Sequence, residues 1–147
     1  VNIRDVVKKI EDAGIQVLGN YMFGFPTDNL VTMKETLDLA LELNTAHANF
    51  YTTQALPGSP LYFEAKMKNW DLPEKYSEYA FLSYDCKPLP TDYLLPKEVL
   101  KFRDDAWNNY FSNPRYLQKI EKLFGLRASE NIREMSQIKL KRKILGD

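Results

Sequence analysis

The sequence carries one cysteine and one histidine in 147 residues. Cys86 by itself cannot form an internal disulfide, and a lone thiol or imidazole lacks the ligand-spaced companions that a four-ligand zinc site requires. Cys86 and His47 therefore read as packing or surface residues, and no metal site is expected of this chain. A surplus of either charge is also missing. Lys+Arg and Asp+Glu stand at 20 each, so no net field draws the chain to a polyanion, and no nucleic-acid partner is indicated. No apolar stretch approaches the roughly 18 residues that suggest a membrane span, and there is no signal-peptide pattern. The expectation is a soluble, cytoplasmic protein. Neither Gly-x-Gly-x-x-Gly nor a Walker-type Gly…Gly-Lys-Ser/Thr occurs, which removes the two common glycine-rich phosphate loops. Internal repeats and low-complexity tracts are absent too. The chain opens on Val1 rather than methionine, which suggests a piece of something longer.

What is present reads as alternating helices and strands. In "NIRDVVKKIEDAG", Ile3, Val6, Val7 and Ile10 share one helix face, with Asn2 able to cap the start and Gly14 the end. "IQVLGNYMF", Ile15 to Phe23, is too short for a typical helix and reads as a strand buried on both faces, despite its central Gly19. After the Gly24-Phe25-Pro26 turn, Thr27 or Asn29 is a plausible cap for a helix carrying Leu30, Met33, Leu37 and Leu41, up to about Leu43. A second strand is expected from about Ala48 to Thr53. It is followed by the Pro57-Gly58-Ser59-Pro60 turn and a helix near Leu61 to Asn69.

Strands separated by helices of this length need crossover connections, which implies a parallel sheet and α/β architecture. Two strands make a small sheet with unpaired edges. From Trp70 the pattern changes to a proline- and tyrosine-rich stretch without periodicity, expected to wrap over a surface. Pro96 suits the start of a helix to about Tyr110, in which Val99, Leu100, Arg103, Ala106, Trp107 and Tyr110 share one broad face. Asn113-Pro114 opens another that Gly125 stops. A last helix is expected from about Ser129 to Leu145, ending in "KLKRK" where the helix dipole favours positive charge. The length suits one domain, with residues 1–69 as the α/β part and 70–147 as the wrapping segment and helical extension.

In parallel α/β folds ligands bind beyond the carboxyl ends of strands. Two loops lie there, Gly24 to Thr27 and "LPGSPLY", Leu56 to Tyr62. In the first, a glycine admits close approach of a ligand and the proline directs the chain into a helix. On local chemistry alone each loop reads first as a plain turn and helix start. Tyr51, Thr53 and Gln54, at the carboxyl end of the second strand, are candidates for contact with a small-molecule substrate.

Taken together, "AGIQVLGNYMFGFPTDNLVTMKETLDLALELNTAHANFYTTQALPGSPLY" resembles the carboxyl-terminal part of the radical S-adenosylmethionine enzyme barrel. The subgroup it is most similar to by eye carries a cobalamin-binding domain ahead of the barrel. The later "LLPKEVLKFRDDAWNNYFSNPRYLQKI" looks like the helical extension of that subgroup. The resemblance spans about residues 10 to 120 and rests on the order and spacing of motifs that are individually loose. It implies the C-terminal portion of a parallel, partial TIM-like (β/α) barrel, with S-adenosylmethionine and a [4Fe-4S] cluster as cofactors and cobalamin as a further one. In the family, Gly-x-Ile-x-Gly-x-x-Glu on the fifth strand borders the adenosyl group. Gly24 matches its second glycine and Met22 its isoleucine. Asn20 replaces the first glycine and Thr27 the glutamate, with Asp28 following. Side-chain alternation puts Asn20, Met22 and Gly24 on one strand face, which the resemblance makes the barrel interior and the cofactor wall.

The family's Cys-x-x-x-Cys-x-x-Cys cluster motif is missing, so by this resemblance the chain is a fragment, inactive alone, whose partner is the N-terminal half of the barrel or a partner subunit. Two other readings stand beside it. One is a noncatalytic α/β interaction module binding a partner subunit. The other is an unrelated small α/β fold in which Gly24 and Gly58 are only turns.

Overall fold

The structure is a computed structural model describing all of residues 1–147. Helix α1 (Ile3–Asp12) leads to strand β1 (Leu18–Phe23), helix α2 (Leu30–Leu43), strand β2 (His47–Thr52) and helix α3 (Pro60–Met67). An irregular stretch with one 3-10 turn at Tyr76–Tyr79 precedes α4 (Pro96–Phe111), α5 (Pro114–Phe124) and α6 (Leu126–Ser136). The two strands pair in parallel, Leu18 opposite His47 through Phe23 opposite Thr52. The fold is thus mixed α/β, a two-strand parallel sheet with C-terminal helices, as the crossover argument requires.

Local chemistry sets the element starts. The Asn2 side chain accepts the Arg4 N–H at the head of α1. Of the two candidate caps for α2 it is Asn29 that serves: its side chain accepts from Val31 and Thr32 N–H while the Thr32 hydroxyl accepts the Asn29 N–H. Pro60, Pro96 and Pro114 each open a helix, where a missing N–H costs nothing.

The main core lies on one face of the sheet. Tyr21 and Phe23 of β1 and Ala48 and Phe50 of β2 meet Met33, Leu37 and Ala40 of α2 and Val99, Ala106, Tyr110 and Phe111 of α4. Phe50 is stacked on Tyr21 and Phe23 and meets Tyr110 edge-on. Gly19 fits this packing, because a Cβ there would lie 2.6 Å from the Tyr21 hydroxyl. A smaller cluster of Ala55, Ala65 and Leu89 seats α3 under the wrapping segment.

Three expectations need correction. Strand β1 is covered on one face rather than two: Leu18 and Met22 are 50% and 41% exposed, and Asn20 is exposed beside them. The apolar run reflects a sheet whose second face has no cover in this chain. Residues 15–17 fall outside β1, since β2 begins opposite Leu18. The last helix ends at Ser136 instead of Leu145, and "KLKRK" is not α-helical, its Lys143 opening a 3-10 turn at Lys143–Leu145. Its Arg142 is fully buried and makes three hydrogen bonds to groups far along the chain, to Asp104 and to the Ser83 carbonyl. These charge-assisted bonds favour an unwound tail over about two and a half further helical turns that would carry Arg142 elsewhere.

Candidate functional site

The register decides which main-chain groups each strand offers. The Thr53 N–H bonds to the Phe23 carbonyl and the His47 N–H to that of Val17. In a parallel ladder this phase turns the N–H and C=O of Leu18, Asn20 and Met22 away from β2, and those of Ala48, Phe50 and Thr52 away from β1.

The helical extension packs over the outer edge of β2 and bonds one of its outward main-chain groups. Arg103 Nε donates to the Phe50 carbonyl at 2.8 Å. Just before the strand, the Tyr110 and Tyr116 hydroxyls donate to the carbonyls of Thr45 and Ala46, at 2.7 and 3.2 Å. Burial pushes both phenols above their ordinary range, Tyr116 to about 12. At the outer edge of β1 no turn, loop or side-chain hydrogen bond reaches the main-chain groups of Leu18, Asn20 or Met22.

The uncovered face bears a short polar ladder. Asn49 Nδ2 donates to Asn20 Oδ1 at 3.1 Å, and the Tyr51 hydroxyl reaches the same oxygen at 3.5 Å. Met22 lies opposite Tyr51 in register. Phe81, from the wrapping segment, packs edge-on against Tyr51 with ring centroids 4.8 Å apart. Asn20, Met22 and Tyr51 thus share one open surface near the carboxyl ends of the strands.

The other sequence candidates sit differently. Gly24 is buried, with φ +86°, and a Cβ there would lie 2.5 Å from Val99 Cγ1. Its close neighbour is therefore α4. The positive φ takes it out of the strand alternation that joined it to Asn20 and Met22. Asp28 closes the turn, one carboxylate oxygen accepting both the Gly24 and Phe25 N–H and the other the Thr32 hydroxyl. Thr53 is buried, and both its N–H and its hydroxyl bond to the Phe23 carbonyl, so it fastens the strand ends together. Gln54 is half-buried, its amide nitrogen 3.4 Å from Thr52 Oγ1 and 3.8 Å from Cys86 Sγ. Cys86 is 2% exposed, and burial pushes its thiol up. No group of three or more His, Cys, Asp or Glu side chains is arranged to hold a metal ion.

Residues the sequence reading did not single out as functional also converge here. Arg103, Asp104 and Arg142 form a buried ionic cluster behind Phe81, with the Arg103 guanidinium carbon 5.2 Å from that ring. One signal was visible: Arg103 is a charged residue on the apolar face of its helix. Arg142, in a basic run that looked solvated, gave none.

No helix of the chain is long and apolar enough to cross a membrane. No protein-family model matches the chain. Over 115 residues, 78% of its length, the chain is 24% identical to an uncharacterized methyltransferase of Pyrococcus horikoshii. The alignment covers 24% of that protein, so the chain spans about a quarter of the length of the curated relative it matches.

Proposed function

We propose that this chain is the C-terminal part of a radical S-adenosylmethionine enzyme. In this reading its strands continue into a larger partial (β/α) barrel, and its uncovered sheet face forms part of the cofactor wall. One observation carries the proposal: α4 packs over the β2 side and bonds the Phe50 carbonyl, one sheet face is covered, and the β1 edge and the face of Asn20, Met22 and Tyr51 are left open. Unpaired strand edges are normally blunted or covered. A strand from the missing N-terminal half, on the same or a partner polypeptide, would pair along β1. The distant methyltransferase similarity over a quarter of a longer protein supports both the cofactor and the missing length.

The fit differs between the cofactors. Asn20 and Met22 offer a polar group and an adaptable thioether on an accessible surface, which suits an adenosyl group. Gly24 would border it only through its backbone, since α4 occupies its side-chain direction. The residues of this chain do not fit a [4Fe-4S] cluster: its one cysteine is buried, and no ligand group exists. Cluster ligands, and any cobalamin-binding domain, would belong to the preceding part.

Anaerobic reconstitution tests the proposal. The chain alone should take up no [4Fe-4S] cluster and cleave no S-adenosylmethionine. Extended through the reading frame that precedes Val1, the protein should bind a cluster and release the deoxyadenosyl product on reduction. A cluster held by the chain alone, or an extended frame without a cysteine triad, overturns it. The second outcome would favour a noncatalytic module in which a partner adds a strand to β1, a reading the same open edge supports.

A further inference from the structure

Two guanidinium groups and one carboxylate meet at the outer edge of β2. Arg103 is 3% exposed and Arg142 is wholly buried. Asp104 accepts from Arg142 Nε and Nη2 and from Arg103 Nη1, each at 2.8 Å. The charged groups acting on Arg103 are Asp104 and Arg142, and the remaining ionisable neighbour is Cys86, whose buried thiol is pushed up and stays neutral. Guanidinium does not deprotonate in proteins. Asp147 adds a second carboxylate nearby, but it reaches only the Arg142 main-chain N–H, at 3.1 Å and from an exposed position. The two guanidinium groups themselves share the one carboxylate of Asp104, which leaves a surplus of positive charge on the buried Arg103 side, where it is costly.

The surplus has an outlet. Arg103 spends Nε on the Phe50 carbonyl and Nη1 on Asp104, and its Nη2 has no partner in the chain. The side-chain atoms shut off from solvent without a partner are Tyr21 Oη and Gln54 Oε1. Arg103 Nη2 therefore belongs to the sliver of this residue that solvent reaches. Beside the guanidinium lies the Phe81 ring, which rests edge-on against Tyr51 on the open sheet face. Strand β2 ends one residue later, at Thr52, at its carboxyl end.

We propose that Arg103 Nη2 receives the carboxylate of a small-molecule ligand that lies against Phe81 and Tyr51 at the carboxyl end of β2. The anion supplies the missing negative charge, and the two rings supply an apolar wall for the rest of the ligand. Arg142 does not touch the ligand. It positions Asp104 and supplies the surplus charge. The site is formed by this chain alone, so it stands whether or not the chain completes a cofactor enzyme.

The test is an NMR titration of the full chain with malonate at fixed ionic strength, chloride compensating. It follows the Arg103 Nε–H and the amides of Tyr51, Gln54 and Phe81. These resonances should shift saturably with malonate and stay still with malonamide, its neutral analogue. Arg142→Met, which leaves Arg103 and Asp104 as a neutral pair, should weaken malonate binding roughly tenfold, the loss of one nearby unit charge in a poorly solvated site. A linear response, an equal response to malonamide, or unchanged affinity in a folded Arg142→Met protein overturns the proposal. Should that variant not fold, the malonate and malonamide titrations of the natural chain decide the matter.

Discussion

At the outer edge of β2, Arg103 donates to the Phe50 carbonyl, and Tyr110 and Tyr116 donate to carbonyls just ahead of the strand. At the outer edge of β1 the main-chain groups of Leu18, Asn20 and Met22 meet nothing, and their side chains stand on the exposed sheet face. Both strands have the same length and the same parallel ladder between them. What separates them is the chain that follows. Alpha-helices cannot extend a sheet by main-chain pairing, so closing the β2 edge requires side chains long enough to reach its carbonyls. The extension supplies an arginine and two tyrosines for that purpose. Nothing equivalent precedes β1, since α1 makes its long-range polar contacts elsewhere, with Glu42 and Lys119. Backbone polar groups with no partner other than water are tolerable at a surface and costly when covered. The difference therefore sets one edge under the helical extension and leaves the other bare.

The largest effect should come from the covered side. Phe50→Ala removes a ring that is fully buried and touches Tyr21, Phe23, Tyr110 and Phe111. It should cost about 3–5 kcal/mol in urea unfolding. A loss under about 1 kcal/mol would mean that α4 does not pack on β2 as described.

A smaller effect should come from the tyrosine carbonyl contacts. Tyr116→Phe strands the Ala46 carbonyl and should cost about 1–2 kcal/mol. The same contacts carry a pH dependence. Tyr110 and Tyr116 have folded pKa values raised above the ordinary value of about 10. The stability tied to their protonated forms is complete below pH ~10 and is lost as pH rises through the folded values, Tyr116 at about 12. Unfolding midpoints should hold steady to about pH 10 and then fall, less steeply in Tyr116→Phe. An equal slope in both proteins would break the link between that hydroxyl and the covered edge.

The smallest effect belongs to the open side. Met22→Lys changes a residue on the uncovered face, so within this chain it should shift stability by under about 0.5 kcal/mol. In a protein that includes the missing neighbour it should cost several times more. Equal costs in the two contexts would mean that nothing covers that face.

Much of this was legible because it depends on local chemistry. The capping asparagines, the helix-opening prolines and the apolar spacing of α2 and α4 act within a turn or two, so sequence spacing reveals them. The covered and open faces of β1 were not legible. "IQVLGNYMF" is apolar throughout, and such a run looks the same whether the second cover is supplied by this chain or by another. Gly24 was found for its turn, whereas its second cause, the approach of Val99, lies 75 positions away in sequence. Arg142 shows the same limit, since a basic tail reads as solvated until its partners, Asp104 and Ser83, are known.

The sequence by itself determined where the asparagine-capped and proline-opened helices begin, and that the two strands run parallel. Only the tertiary structure decided which edge lies under the helical extension, which face stays bare, and that Arg103 and Arg142 share the Asp104 carboxylate behind Phe81. Starts and direction follow from contacts between near neighbours along the chain. Edges, faces and buried charge depend on residues that meet only after the chain has closed on itself.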